Sequence, residues 1–439
     1  MSKKWLAAVL VFVLASSLFF GVPKTGYAAV DRENDYPIIL VHGFSGWGRD
    51  ELWGYKYWGG GKDDIQEDLN ARGFNCRTAA VGPLSSSWDR ACELYAQLQG
   101  TTTDYGKAHS DKFGHDRFGR SYAEPLVPRW GQLDDQGRIK KIHLITHSHG
   151  GQTGRLLIHL MEYGDPEEKL ATDSEELSPL FKGGKQWVAS QTLVAAPCDG
   201  TTLEPLVIKY IPPAQQLVAL AAAIFGASDQ HFYDFKLEQW GMKRWSEESM
   251  GSYLKRVVKS SLWIDTKDAS PWDLSPEGAR EFNGRTKASP NVYYFTLAGE
   301  ATEEKPETGY QVPESDMYIP FKLFGYLMGK YTHDGAGGRV SVDKSWWQND
   351  GVINTNSADG PTIYPGGSVP ETIVINDGKP KKGVFNYLGL LEHVDHFDIV
   401  GIPTLTPEMK SFYQKQAAFL YSLPGESPKT PKTIDPIIK

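Results

Sequence analysis

The chain has 439 residues, 40% hydrophobic and 23% charged, with 45 Gly and 27 Pro, a composition that excludes a disordered, collagen-like or coiled-coil chain and allows a large core. A formal net charge of -8 provides no field to gather nucleic-acid phosphates, so nucleic acid is not an expected partner. The three cysteines, Cys76, Cys92 and Cys198, cannot make a disulfide framework and read as core thiols.

In chain order, Lys3 and Lys4 precede an apolar run from Trp5 to Phe20, and Gly26-Tyr27-Ala28 offers the small residues a signal peptidase needs. Residues 1–28 are therefore expected to be a cleaved secretory signal and the mature protein to be extracellular. No later segment carries roughly 18 uninterrupted apolar residues, so no transmembrane anchor is expected after signal removal. Ile38-Ile39-Leu40-Val41 reads as a buried strand that stops at His42-Gly43. Residues 54–119, rich in Gly, Trp, His and Asp without a simple period, read as an inserted irregular subdomain. A second buried strand, Ile142 to Thr146, runs into Ser148-His149-Gly150-Gly151, after which Leu156, Leu157, Leu160 and Met161 recur at helical spacing. The segment Ile208 to Ala227 is too apolar for an exposed helix, and by itself reads as a buried one. Trp187 to Val194 and Val292 to Leu297 are further strands, residues 300–385 read as long loops over the carboxyl edge of the sheet, and Pro407 to about Leu423 is a closing helix. Strands alternating with helices predict an α/β fold with a mostly parallel central sheet, one domain over 29–423. The Pro-rich tail, 424–439, is expected to be loosely attached.

Thr146-His147-Ser148-His149-Gly150 has the form small-x-Ser-x-Gly between a strand and a helix, the pattern of a nucleophile elbow, with Thr where Gly is usual. A serine hydroxyl needs a base, and the base needs an orienting group. In this fold acid and histidine follow the serine. Asp350 and His396 sit on late loops; spacing alone leaves His333 and His393 as rivals of His396, and many acidic residues as rivals of Asp350. The backbone N–H of His149 and that of Phe44, in His42-Gly43-Phe44, are the candidate oxyanion donors.

These residues and their surroundings resemble the secreted bacterial true lipases of family I.5, the thermostable Bacillus-group enzymes, and more distantly the staphylococcal lipases. The shared text includes Pro37 to Gly46, Tyr57-Trp58-Gly59-Gly60, Trp88-Asp89-Arg90-Ala91-Cys92-Glu93, Asp199-Gly200-Thr201-Thr202-Leu203, Asn349-Asp350-Gly351 and Val394-Asp395-His396. The resemblance implies an α/β-hydrolase fold and a triacylglycerol lipase with Ser148 as nucleophile, His396 as general base and acid, and Asp350 orienting it. It also implies a helical lid at about 205–228 and a zinc-binding subdomain whose structural Zn2+ is held by Asp89, His109, His115 and Asp268; two imidazoles and two carboxylates close a tetrahedral site. Asp268 rests on placing a length difference near Trp263, which leaves Asp265 as a rival. A Ca2+ site is implied at Asp398, where the family has Glu, and Asp316, with Pro403 at a position where the family has a second carboxylate. The expected partners are triacylglycerols and other esters at lipid–water interfaces, handled by a monomer or weak dimer. A carboxylesterase or phospholipase with the same triad is the alternative activity, and a non-catalytic secreted binding protein the alternative class.

Overall fold

The computed structural model describes residues 32–210, 233–242, 245, 247–249, 252–253, 256, 266–367, 371–375 and 378–426. Its center is a seven-stranded sheet of β1 (Ile38–Val41), β2 (Cys76–Ala79), β3 (Ile142–His147), β4 (Val188–Val194), β5 (Tyr293–Glu300), β6 (Ile373–Ile375) and β7 (Phe385–Glu392). The strands lie in the order β6-β7-β5-β4-β3-β1-β2, every neighboring pair parallel. The principal helices are α1 (Ile65–Ala71), α2 (Ser87–Gln99), α3 (Lys107–Phe113), α4 (Gly150–Tyr163), α5 (Pro276–Arg285), α6 (Ile319–Met328) and α7 (Pro407–Ser422).

The two-residue repeat of a strand divides the aliphatic run of β1 between two cores. Ile39 and Val41 join Leu144, Trp88, Leu94, Leu156, Leu157 and Phe282 on one face, where α2, α4 and α5 pack. Ile38 and Leu40 join Ile145, Phe295, Tyr413, Ala417 and Leu420 on the other, under α7. With both faces covered, the strands are continuous apolar runs, and each large side chain removed from water contributes roughly 1.5–3 kcal/mol. Local signals set the helix ends. Ser86 caps α2 by accepting from the Asp89 N–H, Thr406 caps α7 ahead of Pro407, and α2 stops at Gly100 in the left-handed region, φ 68°.

The insertion expected over 54–119 is corrected by this topology, since it contains β2, the edge strand of the main sheet, and α2, a core helix. β2 has the sequence Cys-Arg-Thr-Ala, without the aliphatic run that marks the inner strands. In α2 Trp88, Ala91, Cys92, Tyr95 and Leu98 recur at helical spacing, and burial extends to Asp89, Arg90 and Glu93 between them. The true excursion is α3 with the antiparallel ribbon of Thr102–Asp104 and Phe118–Ser121. Likewise, 300–385 is not all loop, because it holds α6 and β6. The tail begins attached: the Glu426 N–H donates to the Tyr36 hydroxyl at 3.0 Å, and Lys141 pairs with its carboxylate at 2.5 Å. Cys76, Cys92 and Cys198 are free and buried, as expected. The expected signal segment, 1–28, and residues 427–439 lie outside the described residues. So does most of the expected lid, about 205–228, whose first residues belong to the helix Leu203–Tyr210. Among the described residues no helix is long and apolar enough to cross a membrane.

Candidate active site

Ser148 sits where β3 turns into α4. Its φ of 56° places a non-glycine residue in the left-handed region, a strained position of the kind that presents a nucleophile. The turn is held by the Ser148 N–H donating to the Val194 carbonyl at 3.0 Å. Space around it is minimal: a Cβ on Gly43 would lie 2.5 Å from the Ser148 Cβ, and one on Gly150 2.6 Å from the Val41 carbonyl oxygen. Thr146 fits the small position because its hydroxyl donates across to the Thr192 carbonyl at 3.0 Å.

Asp350 lies on the loop beyond β5, with one carboxylate oxygen accepting the N–H groups of Val352 (2.9 Å) and Ile353 (2.6 Å). Its other oxygen is 2.7 Å from His396 Nδ1, and the His396 N–H donates to the Asp350 carbonyl at 3.0 Å. A carboxylate at Nδ1 fixes the tautomer that leaves Nε2 free to take a proton. Both residues are buried. The ring of His147, the residue before Ser148, packs on His396 with centroids 4.4 Å apart, which seats the Asp350–His396 pair at the elbow. The rivals separate clearly. The side chain of His393 is 72% exposed and pairs with Glu314, and His333 lies in a short ribbon with Val342 and Ser341 opposite. Asp395 is occupied by the N–H groups of Tyr318, Phe397 and Asp398.

Among the described residues, neither the Phe44 nor the His149 N–H has an acceptor, which leaves both available to a developing oxyanion. The loop carrying Phe44 is fastened by buried groups to which the motifs assigned no role. Arg90 donates to the carbonyls of His42 (2.5 Å) and Gly82 (2.7 Å) and to the Thr153 hydroxyl (2.8 Å). Burial pushes its guanidinium down to about 10. The Gly43 N–H donates to the Tyr57 hydroxyl at 3.0 Å, and that hydroxyl lies 2.6 Å from His147 Nδ1. Burial, and next the neighboring His396, hold His147 well below the usual imidazole range, so a neutral ring shares the hydrogen bond with the Tyr57 hydroxyl.

A second cluster gathers Asp89 of α2 and His109 of α3 with two later residues. Asp89, His109, His115 and Asp268 bring one ligand atom each within 4.8 Å of one another. His109 Nε2 is 3.4 Å from Asp89 and 3.1 Å from Asp268; His115 Nε2 is 4.0 Å and 3.2 Å from the same carboxylates. Asp89 Oδ1, both imidazole Nε2 atoms and Asp268 Oδ2 are buried without a hydrogen-bond partner, a convergence that a cation resolves. Outer partners orient the ligands: Gln239 donates to Asp89 Oδ2 at 2.7 Å and the Asp116 carbonyl takes His115 Nδ1 at 2.9 Å. Asp268 is thus the residue placed with the other three, while Asp265 lies outside the described residues. Asp316 and Asp398 form no such group of three or more among the described residues. Asp316 is exposed and Asp398 half-buried.

A serine on a strained strand-to-helix turn, served by loops at the carboxyl ends of parallel strands, is the arrangement of the α/β-hydrolases, and this chain has that fold. Residues 34–423 match the family model described as lipase-like, C-terminal domain, and the chain belongs to that family. It is 36% identical over 374 residues to a lipase of Staphylococcus epidermidis, covering 84% of this chain and 50% of that one. It is 35% identical over 377 residues to lipase 1 of Staphylococcus aureus, covering 84% and 51%. The chain therefore spans about half the length of these curated relatives. Among solved structures it is similar to EstA from Clostridium botulinum (42% identity, TM-score 0.81, 91% of this chain and 90% of that one). Lipase 1 from Pelosinus fermentans (44%, 0.76, 88% and 99%) and the Staphylococcus hyicus lipase (32%, 0.74, 89% and 96%) are also similar. The resemblance read from the motifs is borne out.

Proposed function

We propose that this protein is a triacylglycerol lipase that hydrolyzes water-insoluble glycerol esters through an acyl-serine intermediate. The observation that carries the reading is the buried Asp350–His396 pair set against the strained Ser148 turn. His396 Nε2 takes the Ser148 proton as Oγ attacks the ester carbonyl, and the N–H groups of Phe44 and His149 hold the oxyanion. His396 then returns the proton to the leaving alcohol. Water enters by the same route and releases the acid.

The choice of an insoluble substrate over a dissolved ester is supported by α6. Ile319, Leu323 and Tyr326 on it are 81%, 57% and 44% exposed, while Phe321 on the same helix reaches the His396 ring at 6.5 Å. An apolar face bordering the site suits contact with lipid. A rate series over acyl chain length, on dissolved and emulsified esters, tests this: long-chain emulsions are expected to be preferred, and a preference confined to short dissolved esters would identify a carboxylesterase. The apolar segment from Ile208 to Ala227 is the proposed lid, and residues 1–28 are the proposed export signal that makes the enzyme extracellular. The monomer or weak dimer is sufficient for it, since all of the proposed catalytic groups belong to one chain.

The proposed ion in the Asp89, His109, His115 and Asp268 cluster is structural Zn2+, supported by two imidazoles and two carboxylates that leave no open position. Ca2+ is proposed beside Asp398, whose carboxyl is pushed up to about 6 by burial and then by the Asp395 and Asp316 charges, crowding that a hard cation relieves. Elemental analysis of protein purified without chelator is expected to find zinc, and calcium when calcium is supplied. The double variant His109→Ala/His115→Ala is expected to lose the zinc alone and to melt at lower temperature, with a smaller change in kcat of the protein still folded. Zinc retained by the double variant would place the ion elsewhere.

A further inference from the structure

The side chain of His149 is a buried group for which the proposed reaction has no use, because only its main-chain N–H faces the oxyanion. Its ring nitrogens are nevertheless both engaged: Nε2 lies 3.0 Å from the Ser87 hydroxyl and Nδ1 3.2 Å from the Ser270 hydroxyl. Ser270 gives its own proton to the Ser85 carbonyl at 2.7 Å, so its oxygen accepts from Nδ1–H, and Nε2 is left to accept from Ser87. Burial pushes the imidazole down to about 4, which keeps it in this neutral form.

The two serines belong to the two segments that supply the carboxylates of the metal cluster. Ser87 opens α2 two residues before Asp89, and Ser270 follows Asp268 by two. Those segments are bound to each other by the antiparallel bridge of Ser85 with Ala269 and by the Ser270 N–H donating to the Leu84 carbonyl at 3.1 Å. Asp273 closes the arrangement, accepting from the Ser87 N–H at 2.5 Å and giving its carbonyl to Gln152 of α4 at 2.9 Å. Separation of the two carboxylates therefore pulls on both ends of one rigid ring, and the ring's main chain is an oxyanion donor.

We infer that the His149 side chain is a positioning residue that couples occupancy of the metal cluster to the geometry of the oxyanion N–H beside Ser148. This rests on the proposed serine chemistry and zinc site. Coupling of this kind is reciprocal in affinity: a ligand held by the oxyanion donors must tighten metal binding by the same free energy with which the metal tightens that ligand, and tighter binding shows mostly as slower release. A Gln side chain can take the same two partners, since a neutral imidazole and an amide each offer a donor and an acceptor.

The test uses the full-length mature protein, free or covalently labeled at Ser148 by a serine-directed phosphonate, and follows zinc release to a chromogenic chelator. In the wild type the label is expected to slow release by about fivefold or more, within the usual range of coupling between sites. His149→Leu is expected to release zinc equally fast with and without label, and His149→Gln to retain most of the difference. Ser270→Ala, which removes one ring partner and little volume, is expected to reduce the difference and serves if the Leu variant does not fold. Equal rates for labeled and free wild type, with label and zinc both in place, overturn the coupling alone. An undiminished difference in both His149→Leu and Ser270→Ala overturns the role of the side chain. Absence of label on Ser148 or of zinc overturns the underlying reading and this inference with it.

Discussion

Asp350→Asn is expected to reduce kcat roughly 10⁴-fold, and Ser148→Ala roughly 10⁶-fold, with the melting temperature of each nearly unchanged. The Asn effect follows from hydrogen bonding at the acid. One Asp350 oxygen is held by the N–H groups of Val352 and Ile353, so the amide oxygen must remain there and the NH2 must face His396. An NH2 in that place forces Nδ1 to be the acceptor, which puts the ring proton on Nε2 and removes the base from Ser148. The variant therefore preserves shape while supplying the wrong tautomer. Since the three groups act as a unit, His396→Ala combined with Asp350→Asn should lose little more than His396→Ala alone. Hydrolysis near the wild-type rate by folded Asp350→Asn would move the acid to another residue.

Gly43→Ala is expected to lower kcat on the order of 10²–10³-fold, the usual effect of losing one oxyanion donor. The added Cβ would sit 2.5 Å from the Ser148 Cβ, 3.0 Å from its Oγ and 3.1 Å from the His147 carbonyl oxygen. Relief requires moving either the nucleophile turn or the loop that carries Phe44. The turn is fixed by the Ser148 to Val194 bond, and the loop by Arg90 and Tyr57. Either shift separates Oγ from the Phe44 N–H. Steady-state rates with melting curves check it, and an unaltered kcat in Gly43→Ala would show that Phe44 is not a donor.

What could be read in the sequence was what repeats locally. β1 and β3 are aliphatic because both of their faces are covered, and the Ser148 turn is marked by its neighbors on either side. β2 was hidden because four residues at an edge need no such run, whereas α2 was legible, since Trp88, Ala91, Cys92, Tyr95 and Leu98 recur at helical spacing within an otherwise irregular stretch. The site was legible in part. Ser148 could be found from the turn, but choosing His396 over His393 needed the family resemblance, and the structure separates them by burial and partner. The supports of Tyr57, His147 and Arg90 could not be read, because their partners arrive from distant segments; Tyr57 and His147 are 90 residues apart. The metal cluster lies between these cases: His109 and His115 are close in sequence, while Asp268 reaches them only through the fold.

Peptide mapping by mass spectrometry after reaction with a long-chain alkyl phosphonate tests the central claim most directly. The account predicts one adduct per chain, on Ser148, with loss of triacylglycerol hydrolysis in proportion to labeling and very slow labeling of His396→Ala. Full inactivation with the adduct on another residue, or continued hydrolysis by chains fully labeled at Ser148, would contradict it.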